Sequence, residues 1–166
     1  MDKEEFLKKY EEVYKDLYHY ACFSLGDVHD AEDVVSEAVM DAYKGKDGLK
    51  NPEAFRSWIF KILERKCKAK RKEYATKKTI SIEEENFEGQ SLEKVLANEE
   101  TMSEQERHII RQIFYELDEE ERRIIGLHIF GGYTSKEIGK ILGLLDATVR
   151  SKEHRGLMKL RDAWRN

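Results

Sequence analysis

The chain has 166 residues, 39% of them charged, with a formal net charge of −4 and a mean hydropathy of −0.75. That length allows one medium domain or two small ones, and no run of 18 apolar residues is present, so no membrane insertion of its own is expected. The charged start MDKEEFLKKY is unlike a signal peptide, and Cys22 and Cys67 lack the spacing and histidine neighbours of a disulfide framework or zinc site, so a cytoplasmic protein with buried or incidental thiols is expected.

Phe6 to Leu25 carries apolar residues at helical spacing, among them Phe6, Leu7, Tyr10, Val13, Tyr14, Leu17 and Ala21, and Gly26 ends the pattern. Asp27 or Asp30 can cap a second helix, Ala31 to Tyr43, with Val34, Val35, Ala38 and Ala42 inward and Glu32, Asp33, Glu37 and Asp41 largely outward. Gly45, Gly48 and Asn51-Pro52 mark a loop, and Pro52 suits the first turn of the next helix.

That third helix begins AFRSWIFKIL and ends ERKCKAKRKEY. Aromatics leading into a cation run suit single-stranded nucleic acid, because rings stack on bases while cations follow the backbone. Phe55, Trp58, Ile59 and Ile62 serve equally well as core, and only exposed members of the set can meet DNA.

Residues 76–103 are acidic and weakly patterned, with one short helical stretch around Ser91 to Asn98, and read as a linker. Helical spacing returns at His108 to Tyr115 and again after Asp118, which forms a capping pair with Glu121. Thr134 and Glu137 form another capping box before Ile138, Ile141 and Leu142, and Gly143 stops that helix. A final helix starting near Asp146 carries Val149, Leu157, Leu160 and Trp164 on one side and Arg150, Ser151, Lys152, His154 and Arg155 elsewhere. Two helices joined by a short Gly-containing turn, the second basic, describe a helix-turn-helix, whose second helix fits the major groove.

The net charge hides a segregation. Residues 1–47 hold 13 acidic and 6 basic side chains (−7), residues 56–78 hold 2 and 10 (+8), residues 83–106 hold 9 and 1 (−8), and residues 146–165 hold 3 and 6 (+3). Two basic surfaces separated by an acidic connector point to a polyanion gripped at two places. Asp33, Glu37 and Asp41 share a helix face and could hold a divalent cation, but no His or Lys accompanies them as a general base. Catalysis, a metal site and a cofactor are therefore not expected.

Taken together, LGDVHDAEDVVSEAVMDAY (Leu25 to Tyr43), FRSWIFKI (Phe55 to Ile62), LDEEERRIIGLHIFGGYTSKEIGKILG (Leu117 to Gly143) and ATVRSKEHRGLMKLR (Ala147 to Arg161) closely resemble the extracytoplasmic-function (ECF) type sigma factors of bacterial RNA polymerase. The resemblance implies an all-α chain of two small helical domains joined by an acidic linker: a region 2-like domain at 1–75, the linker at 76–103, and a region 4-like helix-turn-helix domain at 104–166. It implies a promoter-specific initiation subunit that binds core RNA polymerase, reads the minus-35 element as duplex and helps open the minus-10 element.

By the same resemblance, Asp30, Glu32, Asp33, Glu37 and Asp41 would dock on the beta-prime clamp helices, and the Leu117 to Phe130 side would meet the beta flap. Lys44, Lys46, Asn51, Phe55, Arg56, Trp58, Lys61, Arg65 and Lys68 would open and read minus-10 DNA, while Arg150, Ser151, Lys152, His154 and Arg155 would read minus-35 DNA. An anti-sigma partner is implied as well. The chain departs from the family pattern at Leu145, where a capping residue or Pro is common, at Glu153, where an apolar side chain is common, and at Arg65 and Ala69. The competing readings are a stand-alone helix-turn-helix regulator, which would bind promoters tightly without polymerase, and an interaction module that binds polymerase without reading promoters.

Overall fold

The computed structural model describes residues 1–78 and 103–165. Most of the acidic linker, including the helical stretch expected at Ser91 to Asn98, lies outside the described residues. Within them the chain is helical, with no strand.

Helix α1 spans Lys3–Leu25 and α2 spans Val28–Lys44. Asp2 caps α1 by accepting from the Glu5 amide at 2.8 Å, and Gly26, with φ of 66°, takes the left-handed conformation that ends it. Asp27 caps α2 by accepting from the Asp30 amide at 2.9 Å, which settles the choice between the two aspartates. Short 3-10 turns at Lys46–Gly48 and Pro52–Ala54 lead into α3, Phe55–Lys78. These three helices pack against one another around Phe6, Leu17, Ala38, Phe55, Ile59 and Leu63, all buried. Leu7 and Tyr14, assigned to the apolar stripe of α1 by spacing, stay exposed, so the buried face is narrower than the stripe.

The second half contains α4 (Glu104–Glu116), α5 (Glu119–Ile129), α6 (Ser135–Leu142) and α7 (Asp146–Arg165). Helix α7 packs against the other three, burying Val149 and seating Gly156 where a Cβ would lie 3.1 Å from Ile125. Leu157 and Trp164 remain exposed rather than joining that face. The α5 capping box forms in full: the Glu121 amide donates to Asp118 at 2.8 Å, and the Asp118 amide donates to Glu121 at 3.0 Å. Lys159 of α7 then donates to the same buried Glu121 carboxylate at 2.7 Å.

Burial opposes ionisation of Asp118, but the Glu121 hydrogen bonds and the nearby Lys159 and Lys152 outweigh it and hold the carboxyl below its usual range. A carboxyl depressed in the folded state stabilises fully above its unfolded value, near pH 4, and loses that contribution as pH falls through the lower folded value. Asp118→Ala is expected to cost about 1 kcal/mol at neutral pH. Melting curves of variant and wild type should converge on acidification.

The two halves do not stand apart. One continuous buried cluster runs from Phe6 and Tyr20 through Phe60 to Ile124, Leu127, Tyr133, Ile138 and Val149. A second places Phe23 of α1 among Ile110, Ile113, Phe114, Leu117 and Ile125 of the other half. Helix α1 is the shared wall: it packs on α2 and α3 on one side and on α5 on the other. Both cysteines are buried and outside any disulfide, and burial pushes the Cys67 thiol far up.

Candidate nucleic-acid interface

The α6–α7 pair has the helix-turn-helix geometry that the spacing predicts. Thr134 caps α6 through a complete capping box, accepting from the Glu137 amide at 3.3 Å while its own amide donates to Glu137 at 3.1 Å. Gly143, with φ of 72°, turns the chain, and the Leu144 amide returns to the Gly139 carbonyl at 2.9 Å. The Leu145 carbonyl accepts the first bond of α7, from Val149 at 3.0 Å, so Leu145 is the N-cap and Asp146 is already inside the helix. A leucine side chain has no oxygen to offer the free amides there, and this one is 77% exposed. Leu145→Ser is therefore expected to stabilise the protein by about 1 kcal/mol, readable as a raised melting temperature.

Glu153, polar where the family pattern is apolar, ties the pair together. It accepts from the Ser135 hydroxyl at 2.8 Å and lies 3.2 Å from His128 Nδ1, which also sits 3.1 Å from the Tyr133 carbonyl. Both neighbours of that nitrogen are acceptors, so it carries the hydrogen. Arg150, Ser151, His154 and Arg155 are exposed on the outer face of α7, and Arg150 leans on Asp146 at 3.8 Å. Lys152 is different: it is turned toward α5 and pairs with Glu120 at 2.7 Å, so it braces the recognition helix instead of facing outward.

On α3, Lys61, Arg65 and Lys68 form an exposed stripe at i, i+4 and i+7. They line a cavity of about 320 Å³ together with Glu64, Arg123 and the Lys140 to Gly143 end of α6. Phe55 leaves the candidate set, because it is 3% exposed and packs edge-on against Phe6. Trp58 is half-buried beside Phe55 and Gly45, where it forms a wall under the loop. Asn51 caps the turn before α3 by accepting from the Glu53 amide at 3.1 Å. Lys44 is exposed, while Lys46 is half-buried, sits 5.1 Å over the Tyr43 ring and lies 3.5 Å from Asp47.

Arg56 is also committed elsewhere. Its guanidinium donates to Asp16 of α1 at 2.7 Å, to the Gly131 carbonyl at 3.0 Å and to the Phe130 carbonyl, so a residue expected to meet DNA binds the other half of the chain.

The acidic face of α2 is divided. Glu32 and Asp33 are exposed. Glu37 and Asp41 converge on Lys66 of α3, at 3.9 and 2.7 Å. The Lys66 hydrogen bond lowers the Asp41 pKa, and Asp41 in turn raises that of Lys66. Asp30 pairs with Lys70 at 3.8 Å and accepts from the Tyr74 hydroxyl. Two of the three carboxylates that spacing alone would allow to share a metal, Glu37 and Asp41, thus hold α2 to α3.

Spacing did not reveal the buried group at the centre. Glu64, 4% exposed, accepts from Tyr20 of α1 and from Arg71 at 2.6 Å, and Arg123 of α5 approaches to 3.9 Å. Arg71 further reaches Ser24 and, at 3.2 Å, Glu119. Its one sequence signal is an acid seven residues before an arginine inside a cation run, two helical turns along one face.

Two family models match this chain: Sigma-70 region 2 over residues 10–75 and Sigma-70, region 4 over residues 116–162. The ECF RNA polymerase sigma factor SigW of Bacillus subtilis is 29% identical over 162 residues, covering 93% of this chain and 87% of its own. The ECF RNA polymerase sigma-E factor of Escherichia coli K12 is 32% identical over 129 residues, covering 74% and 68%. In fold, the chain is similar to the sigma factor RpoE of Bartonella quintana, solved in complex with the anti-sigma factor NepR (TM-score 0.71, 16% identity, 98% of both chains). It is also similar to CnrH, solved with the cytosolic domain of CnrY (TM-score 0.65, 19% identity, 98% and 89%).

Proposed function

The chain belongs to the ECF RNA polymerase sigma factors, and from that premise we propose how its surfaces divide the work of a promoter-specific initiation subunit. The outer face of α7 reads duplex at the minus-35 element. Arg150 and Arg155 supply the planar donors that suit guanine edges, with Ser151 and His154 beside them. The Lys61, Arg65 and Lys68 stripe follows the backbone of the opened minus-10 strand, while Lys44 and Trp58 border the loop where an unstacked base is held. Glu32 and Asp33, exposed on α2, meet basic side chains of the core enzyme. The protein acts in the cytoplasm as a binding subunit without catalysis of its own, and an anti-sigma partner restrains it.

The observation that carries this reading is the pairing, in one chain, of a helix-turn-helix bearing exposed arginines with a second exposed cation stripe on α3. A lone duplex-binding regulator needs only the first. The test is transcription in vitro from a genomic library with and without core RNA polymerase. Discrete start sites that need both components are expected and would supply the promoter sequence. Tight promoter binding by the free protein, with no new start sites, would favour the regulator.

A further inference from the structure

We propose that the cavity lined by α3, α5 and α6 is a binding site for a small, multiply charged phosphate compound, either a short inorganic polyphosphate or the polyphosphate tail of a nucleotide. Lys61, Arg65 and Lys68 line it from α3, Arg123 from α5 and Lys140 from α6. Five cations thus face a space of about 320 Å³ that is lined by one carboxylate, Glu64. That carboxylate is already engaged, because it accepts from Tyr20 and, at 2.6 Å, from Arg71.

The cations are less well matched. Among the described residues, Lys61, Arg65, Lys68 and Lys140 pair with no acid. Arg123 approaches Glu64 only to 3.9 Å, through Nη1, and its buried Nε has no hydrogen-bond partner among the described residues. A buried donor left unmatched costs free energy that an acceptor in the cavity recovers. Cations gathered around one space also repel one another, and an anion carrying several charges relieves that repulsion.

Shape and donor type narrow the ligand further. The volume is at the lower end of what admits a small molecule, and the end of α6 shares the cavity wall with the α3 stripe, so the site takes a compact ligand rather than a running strand. Arg65 and Arg123 offer planar forks that match phosphate oxygens in pairs, and the lysines add point charges. The helix end at Gly143 is a C-terminus, whose carbonyls do not favour an anion, so the side chains carry the binding. Ile141 and Leu142 supply apolar surface on which a nucleotide's base or sugar can rest. A bound anion also occupies cations assigned above to the opened DNA strand; that consequence rests on the promoter-reading function, whereas the site itself does not.

The test is calorimetric titration of the full-length protein with inorganic tripolyphosphate, without divalent cations and at about 0.15 M salt, where exposed charges alone are screened. Saturable binding of a single ligand with a micromolar Kd is expected. Lys140→Ala, and Arg123→Lys, which keeps the charge but loses the fork, should each weaken binding about tenfold, the loss of one charge-assisted contact. Lys140 is exposed, so its variant should melt as wild type does and keeps the test independent of folding. Arg150→Ala with Arg155→Ala, on the outer face of α7, should leave tripolyphosphate binding unchanged. Titration with ATP separates the two sources: affinity equal to or tighter than that of tripolyphosphate assigns the site to a nucleotide, and weaker affinity assigns it to inorganic polyphosphate. Unsaturable heats in wild type would overturn the site, as would wild-type affinity in either cavity variant or lost affinity in the α7 variant.

Discussion

Glu64→Ala is expected to cost about 3–5 kcal/mol of stability, because it takes from the buried Arg71 cation its buried counter-charge and leaves it only the exposed Glu119 carboxylate. The Arg71 side chain is 9% exposed, and Glu64 is its buried partner. Burial works against the Arg71 charge, and the attraction and hydrogen bond of Glu64 outweigh it, raising the guanidinium pKa. The same carboxylate receives the hydroxyl of Tyr20, which is fully buried. Urea unfolding should show a lower midpoint with an unchanged slope. Glu64→Gln keeps the shape and an acceptor oxygen and should cost less than Glu64→Ala, whereas equal losses would assign the effect to packing. Tyr20→Phe, which removes one hydroxyl, should fall below both.

The largest functional loss is expected from removing the two outer arginines of α7 together. A bidentate contact from arginine to guanine discriminates by about 1–3 kcal/mol, so Arg150→Ala with Arg155→Ala should reduce minus-35-dependent transcription about a hundredfold or more. Both side chains are exposed and neither is buried in the core, so the melting temperature should barely change. Lys152→Ala is the contrasting variant: Lys152 pairs with Glu120 of α5, so it should shift stability slightly and leave base preference intact. Loss of sequence preference in Lys152→Ala, with little loss in the double variant, would reverse these assignments.

The contrast between Lys152 and its neighbours shows what was legible in the sequence. Helix ends were readable because their causes are local: Asp118 with Glu121 and Thr134 with Glu137 each complete a box within four residues. Gly26 and Gly143 likewise turn the chain where their left-handed conformations require. Lys61, Arg65 and Lys68, named through the family resemblance, lie exposed along one stripe of α3. The contacts of Lys152 and Arg56 were not legible, because their partners, Glu120 and the Phe130 and Gly131 carbonyls, come from other elements that no spacing along the chain specifies.

The packing of one half on the other was hidden for the same reason. Phe23 and Gly126 each look ordinary inside their own helices. Phe23 reads as one more apolar residue near the end of α1, and its place in the core of the second half appears only in three dimensions. Phe55, one of several aromatics ahead of a cation run, proved to belong to the core because it faces Phe6.

The Lys66 ammonium is shared by Glu37 and Asp41 across the α2–α3 contact. A basic side chain from another protein that settles on those carboxylates competes with Lys66 for them. Displaced, Lys66 becomes one more mobile cation on the helix proposed to follow DNA. Occupancy of α2 and the charge available on α3 are then linked quantities, and by reciprocity an anion that draws Lys66 away strengthens binding on α2 by the same factor. If α2 and α3 meet the partners proposed for them, this single lysine would make the grip on one responsive to the presence of the other.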